Sequence, residues 1–211
     1  MKSLLTICLL ATISSTALAE KLAIVGGKVF TGSEQGTLES ATVLINGNKI
    51  VSVSASSAVP EGYQSIDASG KYVTPGLIGA YTQLGLVEVS SSAGTVDASV
   101  SSNPVSSTGA AYDVSYAINP DSSLLAISRV EGFTSAVSGI SRSDSLFHGL
   151  GAVITLSGTG DSVLKSRAFT AVDVGNGGAD SNGGSRAALW VMLEEAISEA
   201  MQVSTAAQLS P

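Results

Sequence analysis

Three positions on one short stretch, Gly79, Tyr81 and Gln83, frame the first chemistry this chain has to offer. Two residues apart on an extended strand, Tyr81 and Gln83 project from the same face. Such a pair of side chains can bind one metal ion or one small molecule. A phenol with an ordinary pKa near 10 and a neutral amide are poor zinc ligands, because zinc prefers imidazole, thiolate or carboxylate. Gly79 offers no side chain. The pair is better suited to hydrogen-bonding a ligand in a pocket, and Glu88, shortly downstream, is a candidate to line the same pocket.

Other constellations are thinner. His148 is the only histidine, and its neighbours Phe147 and Gly149-Leu150-Gly151 place it on a loop before a strand. One histidine cannot build a histidine-based metal site. A Ser/His/Asp relay using Asp144 is open by composition, but the chain has no Gly-x-Ser-x-Gly elbow. Glu88, Asp97 and Asp113 could pair for acid–base work only if the fold brought them together. The run Gly175-Asn176-Gly177-Gly178 could hold an anion at a helix start, but it lacks the Gly-Lys-Ser/Thr ending of a phosphate loop; a flexible connection is the simpler expectation.

The stretch around these positions, Pro75-Gly76-Leu77-Ile78-Gly79-Ala80-Tyr81-Thr82-Gln83-Leu84-Gly85, resembles the first barrel strand of the amidohydrolase superfamily, Pro-Gly-Leu-Ile-Asp-Ala-His-x-His-Leu-Gly. Further segments are similar to imidazolonepropionase-like periplasmic amidohydrolases. Ala23–Phe30 with Val43–Val53 resembles the sandwich segment before the barrel; Ala117–Asp121 and Arg129–Ser135 resemble the second barrel unit. Ser185–Trp190 and its helix resemble a later one. The resemblance covers most of Lys21 to Gln202. It implies an α/β fold, an amino-terminal β-sandwich segment followed by a partial (β/α) TIM-like barrel. It also implies hydrolysis of non-peptide carbon–nitrogen bonds by a water activated on zinc or a similar divalent metal. Gly79, Tyr81 and Gln83 stand where the family has Asp, His and His. The expectation is therefore a degenerate site without catalytic residues, metal ligands or cofactor of its own. The alternative is a non-catalytic descendant that binds a small molecule or a protein. The family's remaining ligands belong to later strands, so the end at Pro211 gives the chain the look of a front half, whose carboxyl-terminal half or partner chain is missing; a poorly folding fragment is a third reading.

The elements that must position these residues are legible in outline. Leu22–Val25 and Val29–Thr31 flank Gly26-Gly27, a tight-turn signal, and Thr42–Ile45 and Lys49–Ser54 flank Asn46-Gly47-Asn48, a hairpin signal. Ser65–Asp67 and Lys71–Val73 follow. Pro75 cannot donate to a ladder and marks the change to the next element. Gly76–Ala80 is expected as a buried strand and residues 90–110 as a loop. A helix capped by Asp121 and stopped by Gly132 comes next. Strands follow at Phe133–Val137, Gly151–Leu156 and Ala168–Val174. A final helix is capped by Ser185, with Leu189, Leu193, Ile197 and Met201 on one face. Alternating strands and helices from Pro75 onward predict a parallel α/β arrangement.

Residues 1–19 have the form of an export signal: Lys2, an apolar run from Leu4 to Ile13, and the small-x-small site Ala17-Leu18-Ala19. The predicted layout is signal 1–19, sandwich segment 20–74 and partial barrel 75–211. Cys8, the only cysteine, leaves with the signal, which excludes disulfides and fits a periplasmic or secreted protein. Net charge −7 without any basic cluster argues against nucleic acid, and no second apolar stretch reaches membrane length after signal cleavage. At 211 residues the chain falls short of a whole (β/α)8 barrel, which takes about 250.

Overall fold

A computed structural model describes residues 21–209 except 57, 93, 95 and 101–107, with side chains as far as 203. The expected export signal and part of the expected 90–110 loop lie outside the described residues. The chain divides into two compact units, one ending at Pro75 and one beginning at Gly76.

The first unit is a sheet of β1 (Lys21–Phe30), β2 (Thr37–Asn46), β3 (Lys49–Ser54), β4 (Gln64–Asp67) and β5 (Tyr72–Val73). Its order is β3-β2-β1-β4, with β5 also beside β1. The Asn-Gly signal makes the hairpin expected of it: Asn46 pairs with Lys49 across Gly47-Asn48, and Gly47 takes φ +60°. The Gly26-Gly27 signal does not make a turn. β1 runs straight through it, and the register against β2 slips on both sides of Gly27. Gly26 absorbs the irregularity at φ +79°, so the pair is a bulge within one strand. A side chain at 27 would stand 2.8 Å from Val73 Cγ2 and 3.1 Å from Ala68 Cβ, so glycine also lets the neighbouring chain close in. Val29, Ala41 and Val43 form the small core, with Ile24, Leu38 and Val53 against it.

The second unit contains β6 (Leu77–Thr82), β7 (Ser99–Val100), a 3-10 turn (Val114–Tyr116), α1 (Ser123–Val130), β8 (Phe133–Ser138), β9 (Arg142–Ser143), β10 (Phe147–Thr155), β11 (Val163–Val172), α2 (Asn176–Ser181) and α3 (Arg186–Leu209). Its main sheet has the order β11-β10-β8-β6. β6 and β8 are parallel, with α1 in the crossover, but β8–β10 and β10–β11 are antiparallel. The wholly parallel arrangement expected from the sequence is thus corrected. Residues 139–146 and 156–162 are too short to carry a crossover of a dozen residues or more, so the chain must turn back each time.

Local signals shift in smaller ways. Helix α1 starts after Ser122 rather than Asp121, and Gly132 at φ +92° ends it as expected. Leu77 and Ile78, expected in a buried strand, are more than half exposed, because β6 is an edge of the sheet. The core lies between α1 and the middle strands: Leu125, Ala136, Ala152, Ile154 and Leu156, with Leu86 from a loop and Val114 from the 3-10 turn. On α3 the Ser185 hydroxyl accepts from the Ala188 N–H at 3.2 Å, as a cap should. Its apolar stripe is buried only at the start: Leu189 is sealed against Leu146 and Ala179, while Ile197 and Met201 are exposed. The stretch expected as a flexible glycine connection instead holds α2, closed by Asn182, whose side-chain amide donates to the Gly178 carbonyl at 2.9 Å. Among the described residues, no helix is long and apolar enough to cross a membrane.

Candidate functional site

The strand directions bring one set of residues together. β6 and β8 run the same way, β10 runs against β8, and β11 against β10. The carboxyl ends of β6, β8 and β11 therefore share one end of the sheet with the amino end of β10. Tyr81, Ser141, His148 and Asp173 all lie there.

Two adjoining hollows open at this end, sharing Ser141, His148 and Asp173. One, of about 360 Å³, adds Tyr81 and Phe169. The other, of about 250 Å³, adds Arg142, Asp144 and Asp180. The Tyr81 and Phe169 rings meet edge to face, centroids 5.9 Å apart at 63°. Gly151 makes this possible: Phe169 lies across it where any Cβ would collide with the ring.

Tyr81 is committed as a donor. Its hydroxyl donates to the Ile140 carbonyl at 2.7 Å, and burial pushes the phenol above its ordinary pKa. It is protonated at neutral pH and presents its ring to the hollow. Gly79 is buried on β6, and a Cβ there would stand 2.7 Å from Thr82 Cγ2 and 3.2 Å from Ala136 Cβ, so the strand has no room for an acidic side chain without rearrangement. Gln83 sits exposed just past β6, its carbonyl accepting from the Leu86 and Val87 N–H groups. Glu88 accepts from Asn119 Nδ2 and the Ser123 hydroxyl, each at 3.4 Å. Neither Gln83 nor Glu88 lines these hollows.

His148 is not on a loop, as its flanking residues suggested, but inside β10, which begins at Phe147 and includes the glycines that looked like loop signals. It is only 8% exposed, and among the described residues nothing hydrogen-bonds its imidazole. A Ser/His/Asp relay is therefore absent from the described geometry. Asp173 Oδ1 accepts from the Gly175 N–H at 2.8 Å, while Oδ2 makes no hydrogen bond among the described residues. That N–H is thus spent on a turn rather than left for an anion.

Among the described residues, Glu88, Asp97 and Asp113 do not gather into one cluster. Asp113 accepts from Arg167 Nε at 2.7 Å, from the Ser115 hydroxyl and from the Ser115 N–H at 3.0 Å. Burial pushes its carboxyl up, but the Ser115 and Arg167 hydrogen bonds outweigh it and hold the pKa below the ordinary value. Asp173 and Phe169 were missed from sequence; the Asp-Val-Gly ending of a strand is a turn signal that could have flagged the first.

The described residues do not fit the divalent metal that the resemblance implies. The face that should carry imidazoles carries a phenol already bonded to a carbonyl and an amide beyond the strand end. Among the described residues no three His, Cys, Asp or Glu side chains cluster closely enough to hold an ion.

No protein-family model matches the sequence, and no curated protein does. Solved structures do. An amidohydrolase from Thermotoga maritima MSB8 superposes with a TM-score of 0.72 over 89% of this chain and 49% of its own, at 18% identity. A proposed prolidase from Bifidobacterium longum matches over 40% of this chain and 23% of its own (26% identity, TM-score 0.29), and a molinate hydrolase over 32% and 15% (32% identity, TM-score 0.27). The last two overlaps are segmental. The chain spans about half the length of the Thermotoga protein, and over that half its mixed α/β, strand-rich fold is that of an amidohydrolase.

Proposed function

We propose that the chain is a member of the amidohydrolase superfamily, imidazolonepropionase-like, whose first unit is the sandwich segment and whose second is part of a TIM-like barrel. In this reading the ancestral metal site is degenerate, and the end of the barrel that once held it binds a small molecule without hydrolysing it. The observation that carries the reading is Tyr81: its position is that of a family ligand, its hydroxyl is spent on Ile140, and its ring walls a hollow. The expected site of action is the periplasm or the exterior, after removal of residues 1–19.

Metal analysis of the purified chain tests the first half. Less than a tenth of a zinc per chain is expected, and Tyr81→His with Gln83→His should not raise it, because two histidines do not supply the other ligands. Stoichiometric zinc in the unaltered chain sinks the reading. The second half has a convenient reporter, since His148 is the only histidine and gives a single set of imidazole resonances. A ligand seated in the hollow must shift them.

A further polypeptide also has surface to cover. Leu77 and Ile78 on the outer strand β6 and Trp190 and Val191 on α3 are exposed, which suits either the rest of a longer chain or a partner.

A further inference from the structure

Resting on that ligand-binding reading, we propose that the hollow at Tyr81, His148 and Asp173 recognises a small organic cation bearing primary ammonium groups. The argument is one of matching demand. Nearly every polar group facing the hollow is an acceptor or is left with acceptor capacity. Asp144, Asp173 and Asp180 bring three carboxylates against one guanidinium, that of Arg142. Oδ2 of Asp173 makes no hydrogen bond among the described residues.

Two of the donors lining the hollows are spent, while the side chains of Arg142, Ser143 and Ser181 donate to nothing among the described residues. Tyr81 donates to Ile140, and the Ser141 hydroxyl donates to the Ala98 carbonyl at 3.0 Å, leaving its oxygen able to accept. His148, nine-tenths buried and without a hydrogen-bond partner among the described residues, stands where the two hollows join. With three carboxylates against one guanidinium, a ligand rich in donors finds more partners here than one rich in acceptors, and an ammonium has three N–H groups to give.

The aromatic wall points the same way. The Tyr81 and Phe169 rings flank the larger hollow, and an aromatic face attracts a cation within about 6 Å of its centre. An anion would meet three carboxylates, and a lone metal ion would find no three ligands within its reach. A molecule several atoms long can do what an ion cannot. It can put one ammonium against the rings and His148 in the larger hollow and a second among Asp173 and Asp180 in the smaller. The two volumes, about 360 and 250 Å³, leave room for a short alkyl link between them.

The test is calorimetric titration of the full chain with three probes of one length, 1,4-diaminobutane, 1,4-butanediol and succinate, while the His148 resonances are followed. The diamine should bind at least tenfold tighter than the diol, succinate should not bind, and raising the salt to 0.3 M should weaken the diamine several-fold. Asp173→Asn, which keeps the Oδ1 acceptor for the Gly175 N–H, should weaken it about tenfold. Asp180→Asn, at an exposed position, should weaken it severalfold with no risk to folding. Equal or tighter binding of the diol or of succinate with a His148 shift overturns the cation assignment and leaves the ligand-binding reading standing. Diamine binding that ignores both variants, or fails to move His148, overturns the site. Stoichiometric zinc, measured separately, sinks the broader reading whatever the amines do.

Discussion

Replacing Ile154 with alanine is expected to cost the second unit about 2–5 kcal/mol of unfolding free energy, the range for deleting a large aliphatic side chain from a sealed core. Ile154 has no exposed surface. It lies on β10, which is hydrogen-bonded on both sides, opposite Ala136 of β8 and Val163 of β11. Around it sit Leu156, Ala152 and Leu125, themselves fully or almost fully buried. Small neighbours such as Ala136 and Ala152 cannot expand to fill the gap, which puts the cost toward the upper part of the range. Leu164→Ala on β11 is the control, because that side chain is 63% exposed and should change stability by no more than about 0.5 kcal/mol. Urea unfolding followed by the fluorescence of Trp190, the only tryptophan and part of this unit, reads the difference. The first unit must be followed by another signal, since two units need not unfold as one. A loss below 1 kcal/mol for Ile154→Ala would mean that the sheet in this unit is not packed as described.

The same strand shows what the sequence could and could not disclose. Signals that act within a few residues were legible: the Gly47-Asn48 hairpin, the Gly132 helix stop and the Ser185 cap all form. Each depends on backbone conformation that one or two residues decide alone. Gly26-Gly27 misled because a glycine pair serves a bulge as readily as a turn, and only the presence of β2 alongside decides between them. The parallel reading of the second unit failed for a related reason. Apolar runs announce strands but carry no direction; the lengths of the links at 139–146 and 156–162 carry it. His148 was misplaced because Gly149 and Gly151 look like loop residues, when one takes φ +84° in an irregular strand and the other admits the Phe169 ring. Of the candidate site, the sequence singles out Tyr81, and His148 and Asp144 only for a relay that the described geometry lacks. Phe169, Asp173 and Asp180 reach it through sheet topology, and no spacing rule joins residues that far apart.

The tie between Asp113 and Arg167 spans 54 positions and carries the second large expected effect. The Asp113 side chain is 5% exposed, and its oxygens accept from Arg167 and twice from Ser115. Arg167 reaches it from a backbone at φ +50°, the left-handed region that a non-glycine residue enters only when something holds it there. Asp113→Asn keeps the shape and removes the charge. Its expected cost is toward the lower end of about 1.5–3 kcal/mol, the range for hydrogen bonds to an ionised group, because the arginine end is in solvent. Acid should erase this difference. The folded carboxyl titrates below its ordinary value, so the unfolded chain takes up the proton more readily. The stabilisation is then complete above the unfolded carboxylate value of about 3.9 and disappears as pH falls through the lower folded value. Arg167 is held above its ordinary value by the same partner, so its charge is present throughout this range. Unfolding of the parent and Asp113→Asn should therefore differ by a constant amount from about pH 5 to pH 8, with the gap closing below about pH 4. A gap that persists unchanged into strong acid would show that Asp113 stabilises the 3-10 turn through Ser115 as a neutral acceptor, and that the arginine is a bystander.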